Sequence, residues 1–127
     1  MDYLFILGRV ILGGYFIKNA YNHFKNTAML SGYTASKGVP MPKLAVLVTG
    51  AMLLLGGLGI LLGIYINLAV AILVLFLLGT LMKMHVYWKV EDPMARMGEH
   101  VNFYKNLALI GALLLLLSIP QPWGGLF

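Results

Sequence analysis

The chain has 127 residues, 61% hydrophobic and 10% charged, with a mean hydropathy of +0.89 and a net charge of +5. A soluble domain carries about 45–50% apolar and about 25% charged residues, so this composition fits lipid as the solvent and excludes an ordinary water-soluble core. The absence of cysteine excludes disulfides, thiolate catalysis, thiolate metal sites and the four-helix membrane enzymes that shuttle disulfides to quinones.

A bilayer core needs about 20 mostly apolar residues in a helix. Residues 3–24 form the first such stretch. It has no charged start before its apolar region and no small-residue cleavage site, so it reads as structure rather than as a signal peptide. In the connection that follows, Gly32, Gly38, Pro40 and Pro42 argue against a long regular helix. Residues 44–64 and 66–88 form the second and third spans, and only Tyr65 and Asn67 mark the hairpin between them. Asp92 and Pro93 fit an N-cap followed by the first helical position. The fourth helix is therefore expected to start near residue 93 and to cross the membrane over about 103–119. A helix over 93–118 would be about 39 Å long, more than the roughly 30 Å hydrocarbon core. Pro120 and Pro122 end it, and Trp123 suits an interface. The expected fold is all-α: one polytopic membrane domain over 1–127, a four-transmembrane-helix bundle with its N- and C-termini on the same side.

Two connections hold most of the charge. Lys25, Lys37 and Lys43 lie between spans one and two; Lys89, Glu91, Asp92, Arg96 and Glu99 lie between spans three and four. Lys18, Lys83 and Lys105 sit in the adjoining span ends, whereas the opposite side offers only Asp2, with Arg9 a little way inside span one. The positive-inside bias puts both charged loops in the cytoplasm and both termini outside, in a multi-pass plasma (inner) membrane protein. Basic residues do not cluster on a soluble face, so nucleic acid is not an expected partner; the lipid bilayer is.

The same end collects polar groups: Asn19, Asn22 and His23 at the end of span one, His85 and Trp88 at the end of span three, and His100, Asn102, Lys105 and Asn106 at the start of span four. Lysine snorkels, but a short amide cannot, and facing lipid it would leave its groups unsatisfied. Two readings stay open. The asparagines make interhelical hydrogen bonds worth about 0.6–2 kcal/mol. Alternatively Asn19, Asn22, His23, His85, Trp88, Asn102, Lys105 and Asn106 line a ligand-binding pocket among spans one, three and four. Such a pocket would be positive and rich in amide donors, suiting an anion or a carbonyl-bearing molecule such as a quinone head group. A haem held by a pair among His23, His85 and His100 is the weaker expectation. No Asp or Glu lies within a span, which argues against a cation-coupled exporter. Arg9 either snorkels outward or ties helix ends together. Gly8, Gly13, Gly56, Gly59 and Gly63 suit close helix packing, inside the bundle or, as the lesser expectation, across a homodimer seam.

An ordered set of stretches resembles the DoxX family of small four-helix membrane proteins: RVILGGYF at 9–16, NHF at 22–24, GVPMP at 38–42, LLLGGLGILLG at 53–63 and, most fully, NFYKNLALIGALLLL at 102–116. The chain has Leu53 where the family often has Glu, and Ala20 where it often has Gly. The resemblance implies a four-helix bundle in the plasma membrane and a link to redox chemistry, as in a relative that serves a thiosulfate:quinone oxidoreductase. The first expectation is a membrane subunit that binds a quinone or similar lipid and supports a redox partner protein, soluble or membrane-bound. The alternatives are a non-catalytic scaffold recruiting soluble partners and, last, a small dimeric transporter. No catalytic constellation and no metal site is visible, so catalytic residues stay unassigned.

Overall fold

Long apolar runs without interior proline satisfy their backbone groups best as helices, and the chain uses little else. The computed structural model describes residues 3–124, so Asp2 lies outside the described residues. Its helices are α1 (Tyr3–Lys25), α2 (Thr27–Ser36), α3 (Pro42–Leu62), α4 (Ile66–Lys83) and α5 (Pro93–Leu116), with a 3-10 turn at Tyr87–Lys89. No strand occurs among the described residues.

Helix ends follow local chemistry. The Asp92 side chain accepts a hydrogen bond from the Ala95 backbone N–H at 2.9 Å, and Pro93 occupies the first turn of α5, where its missing N–H costs nothing. Gly63 ends α3 with φ +73°, which a residue without Cβ adopts freely, and Tyr65 enters α4 at φ +48°.

Two expectations are corrected. The connection between the first two spans contains a ten-residue helix, α2. Gly32 costs about 1 kcal/mol inside it, but the stronger breakers Gly38, Pro40 and Pro42 all lie beyond Ser36. The third helix ends at Lys83 rather than near residue 88. Its continuation is captured by tertiary contacts: the Tyr87 ring sits 4.6 Å from His100 and 5.5 Å from Phe103, centroid to centroid. His85 and Trp88 are therefore not neighbours on one helix.

The helices pack in a row. α1 lies on α3, α3 on α4, α4 on α5, and α2 crosses α3. No Cα of α1 comes within 8 Å of one in α4 or α5, so the row leaves a cleft between its two flanks. Phe16, Leu53, Leu73, Leu77 and Leu113 fill the common core. α1 and α3 meet over glycines: a Cβ on Gly13 would lie 2.9 Å from the Gly57 carbonyl oxygen, and one on Gly57 would lie 3.0 Å from that of Gly13. Gly59 and Gly63 do not share a seam. The first makes room for Ala69 of α4 and the second for the Arg9 guanidinium. Gly8 meets nothing within 4 Å.

Two stretches, Pro42–Leu62 and Ile66–Lys89, are long and apolar enough to cross a membrane, with mean hydropathies of 2.4 and 2.2. They are only 39% and 33% buried inside the chain. Side chains such as Leu55, Leu68 and Leu75 face outward, an amount of exposed apolar surface that marks contact with lipid or another apolar partner.

Candidate functional site: a cavity beside a buried carboxylate

At one end of the molecule Arg9 is 2% exposed and carries a charge that cannot be neutralised by deprotonation. Its Nε donates to the Ile60 carbonyl at 3.4 Å, Nη2 to Leu61 at 3.2 Å and Nη1 to Gly124 at 2.6 Å. Ile60 and Leu61 belong to the last turn of α3, whose carbonyls lack helical partners and form the negative end of the helix dipole. The guanidinium also lies 5.3 Å from the Phe5 ring centroid and 5.5 Å from that of Trp123. Arg9 thus ties α1, the end of α3 and the C-terminal tail together.

The other end, where the charged connections lie, is different. A cavity of about 480 Å³ opens in the cleft between α1 and α4–α5, within the usual range for small-molecule sites. Most of its wall is apolar, from Phe16, Leu30, Val46, Met52, Leu53, Phe76 and Leu77 among others. Polar groups enter from all five helices and from the segment after α4: Asn19 and His23 (α1), Tyr33 and Thr34 (α2), Thr49 (α3), Thr80 and Lys83 (α4), His85 after it, and Lys105 and Asn106 (α5).

Behind this wall stands Glu99, 6% exposed. Its Oε2 accepts hydrogen bonds from the Lys37 ammonium at 2.5 Å and the Tyr33 hydroxyl at 2.5 Å. Its Oε1 accepts from His85 Nδ1 at 3.1 Å and from Asn102 Nδ2 at 3.1 Å. Burial alone would raise the carboxyl pKa, but the bonds from Lys37, Tyr33, Asn102 and His85 outweigh it and hold the value at about 2. The carboxylate is therefore charged at neutral pH. Burial and the neighbouring carboxylate push the Tyr33 phenol above its ordinary range, so it stays protonated.

The histidines are oriented alike. An ionised carboxylate only accepts, so His85 carries its proton on Nδ1. His23 Nδ1 lies 2.9 Å from the Asn19 carbonyl oxygen, which also only accepts. In each neutral ring Nε2 keeps a free lone pair. His23 is further held edge-on to Phe76 across the cleft, at 6.1 Å between centroids.

Of the residues singled out in the sequence, Asn19, His23, His85, Lys105 and Asn106 line the cavity. Asn102 stands one step back, on Glu99. Asn22 does not reach the lining; its side chain accepts a hydrogen bond from Asn26, the residue between α1 and α2. Trp88 is 57% exposed and packs on Tyr87 and Phe103, away from the lining. The wall also differs from the expected one: α2 and α3 contribute to it, and apolar groups dominate.

Sequence reasoning passed over Glu99, Tyr33 and Lys37. The first had a signal. Glu99, Asn106, Ile110 and Leu113 are the buried residues of α5, at intervals of seven, four and three. A carboxylate in step with such a stripe points inward.

The DoxX family model matches residues 4–86. Among curated proteins, the inner membrane protein YphA of Escherichia coli (strain K12) is 34% identical over 84 residues, covering 66% of this chain. The chain spans 59% of that relative's length. No solved structure matches. The stretch at 102–116 and Glu99 lie beyond the matched residues. The match takes in α1 to α4 and most of the cavity wall, more than half of the chain, and the chain belongs to the DoxX family of membrane proteins.

Proposed function

We propose that the cavity holds a lipid-like ligand, such as a quinone, and that the protein serves a redox system as a membrane subunit. One observation carries this reading: a cavity of about 480 Å³, apolar over most of its wall, with imidazoles, amides and two lysines at one end. That division matches an amphipathic molecule with an apolar tail and a polar head. On this reading α1 and the part of α5 from about residue 103 also cross the bilayer, with the start of α5 standing in the cytoplasm. At 23 residues α1 is about 35 Å long, enough for a hydrocarbon core of about 30 Å. The charged connections then face the cytoplasm, and the Arg9 cluster lies near the outer surface.

The test is extraction. The protein, purified from native membranes in mild detergent, is expected to release a quinone or related lipid in stoichiometric amount. The emptied protein should gain thermal stability when that lipid is returned, in proportion to its concentration over its Kd. Extracts holding only bulk phospholipid, together with an unchanged melting temperature, would remove the proposal.

A further inference from the structure

The cavity's hydrogen-bonding inventory says more about the head group. Resting on the reading that the cavity binds an amphipathic ligand, we infer that this ligand presents a hydroxyl hydrogen to His85, so that the preferred head is a phenol or hydroquinone ring rather than a carbonyl-only quinone.

Several donors in the wall are spent on the protein itself. The Thr49 hydroxyl donates to the Ala45 carbonyl at 2.7 Å and that of Thr80 to Leu77 at 3.0 Å. The Tyr33 hydroxyl is on Glu99. One amide hydrogen of Asn19 goes to the Tyr15 carbonyl, and one of Asn106 goes to Thr80 Oγ1, both at 3.0 Å. Lys83 and Lys105 line the cavity from its exposed edge. His85 Nε2 is different. Its side chain is only 12% exposed, its other nitrogen is on Glu99, and no hydrogen bond reaches Nε2 among the described residues. A lone pair in a mostly apolar wall is satisfied by a donor, and a carbonyl supplies none. His23, fixed in the same tautomer from the opposite flank, offers a second acceptor of the same kind.

Glu99 is the positioning residue in this scheme, because it selects the His85 tautomer. Glu99→Gln gives the selection a sign. Lys37 and Tyr33 present hydrogens to one side of the carboxyl group, so the new amide oxygen turns to them. The amide NH₂ then faces Asn102, whose side-chain amide turns its oxygen towards it, and His85 Nδ1, which must accept. The ring proton moves to Nε2, and the cavity now presents a donor.

The experiment uses the full chain in lipid nanodiscs, without oxygen, and three probes with one decyl tail: the hydroquinone, its quinone and its dimethyl ether. The wild type should bind the hydroquinone about tenfold more tightly than either analogue, as expected when a buried acceptor is left unpaired. His85→Phe should bring the three within about twofold. Glu99→Gln should turn the preference towards the quinone. Nitrogen NMR of labelled histidine adds a readout that needs no ligand: the proton on Nδ1 of His85 in the wild type and on Nε2 in Glu99→Gln. A quinone bound as tightly as the hydroquinone by the wild type, or a wild-type His85 with its proton on Nε2, overturns the inference while leaving the lipid-binding reading in place. Failure of all three probes to bind overturns both.

Discussion

The two ends of the molecule each bury a charge, and they treat it in opposite ways. Arg9 is neutralised by main-chain carbonyls and aromatic faces, which have no other state to adopt. Glu99 is neutralised by four side chains from three separate segments, each with a second polar atom or a titratable partner state. The first arrangement is closed and ends in packing. The second passes its charge on, through His85, to the wall of a cavity. A buried ion held by backbone fixes geometry; one held by side chains also sets their protonation.

The contrast can be broken from either end. Arg9→Ala removes three hydrogen bonds and leaves a hole between Phe5 and Trp123, so it should cost the most, about 3 kcal/mol. Unfolding followed by circular dichroism in mixed micelles would show it, and an unchanged midpoint would mean that Arg9 is no clamp. Glu99→Leu keeps the burial but strips Lys37, Tyr33, His85 and Asn102 of their common acceptor, a loss of about 2 kcal/mol. Its effect should be local. Hydrogen exchange should quicken across α2 and stay as before around Arg9 and Gly63. Exchange rising equally at both ends would deny that the two clusters are independent.

Some of this organisation was legible in the sequence. The all-α fold rests on composition and on apolar runs of helical length, and the start of α5 on Asp92 and Pro93, because capping is a matter of adjacent residues. α2 was not legible. Its composition is that of a loop, and its order comes from distant partners: Tyr33 and Lys37 on Glu99, and Thr34 buried. For the same reason the end of α4 was misplaced, since the rings that capture Tyr87 belong to α5. The candidate site shows the limit most clearly. Asn19, His23, His85, Lys105 and Asn106 attract attention because polar residues in an apolar chain stand out. Glu99, sitting among Lys89, Glu91, Asp92 and Arg96, looked like one more solvated loop charge. Only its step along the buried stripe of α5 separates it from them.

Acid should separate the two ends less drastically than mutation does. The Glu99 pKa is depressed in the fold, to about 2 from an ordinary 4.5. Its contribution to stability is therefore complete above about pH 4.5 and declines as the pH falls towards 2, where the folded form also takes up the proton. The melting temperature of the wild type should drop between pH 5 and pH 3 by more than that of Glu99→Gln, which has no carboxyl group to protonate there. Equal slopes would show that other carboxylates govern the acid limb.

The smallest effect expected is that of Tyr33→Phe. It removes one hydroxyl and leaves Glu99 with its three other donors, so the loss should be about 1 kcal/mol. The ring of Tyr33 also lies near the Lys37 ammonium, 5.4 Å from its centroid, and phenylalanine keeps that contact. The same deletion at the opposite end has no counterpart, because no single side chain there supplies an acceptor to Arg9. If Tyr33→Phe accelerates exchange in α2 about as much as Glu99→Leu does, the hydroxyl bond alone anchors that helix. If it does so weakly, the Lys37 ion pair carries most of the attachment, and Lys37→Met should then reproduce the Glu99→Leu pattern in α2 while leaving Arg9 and the end of α3 untouched.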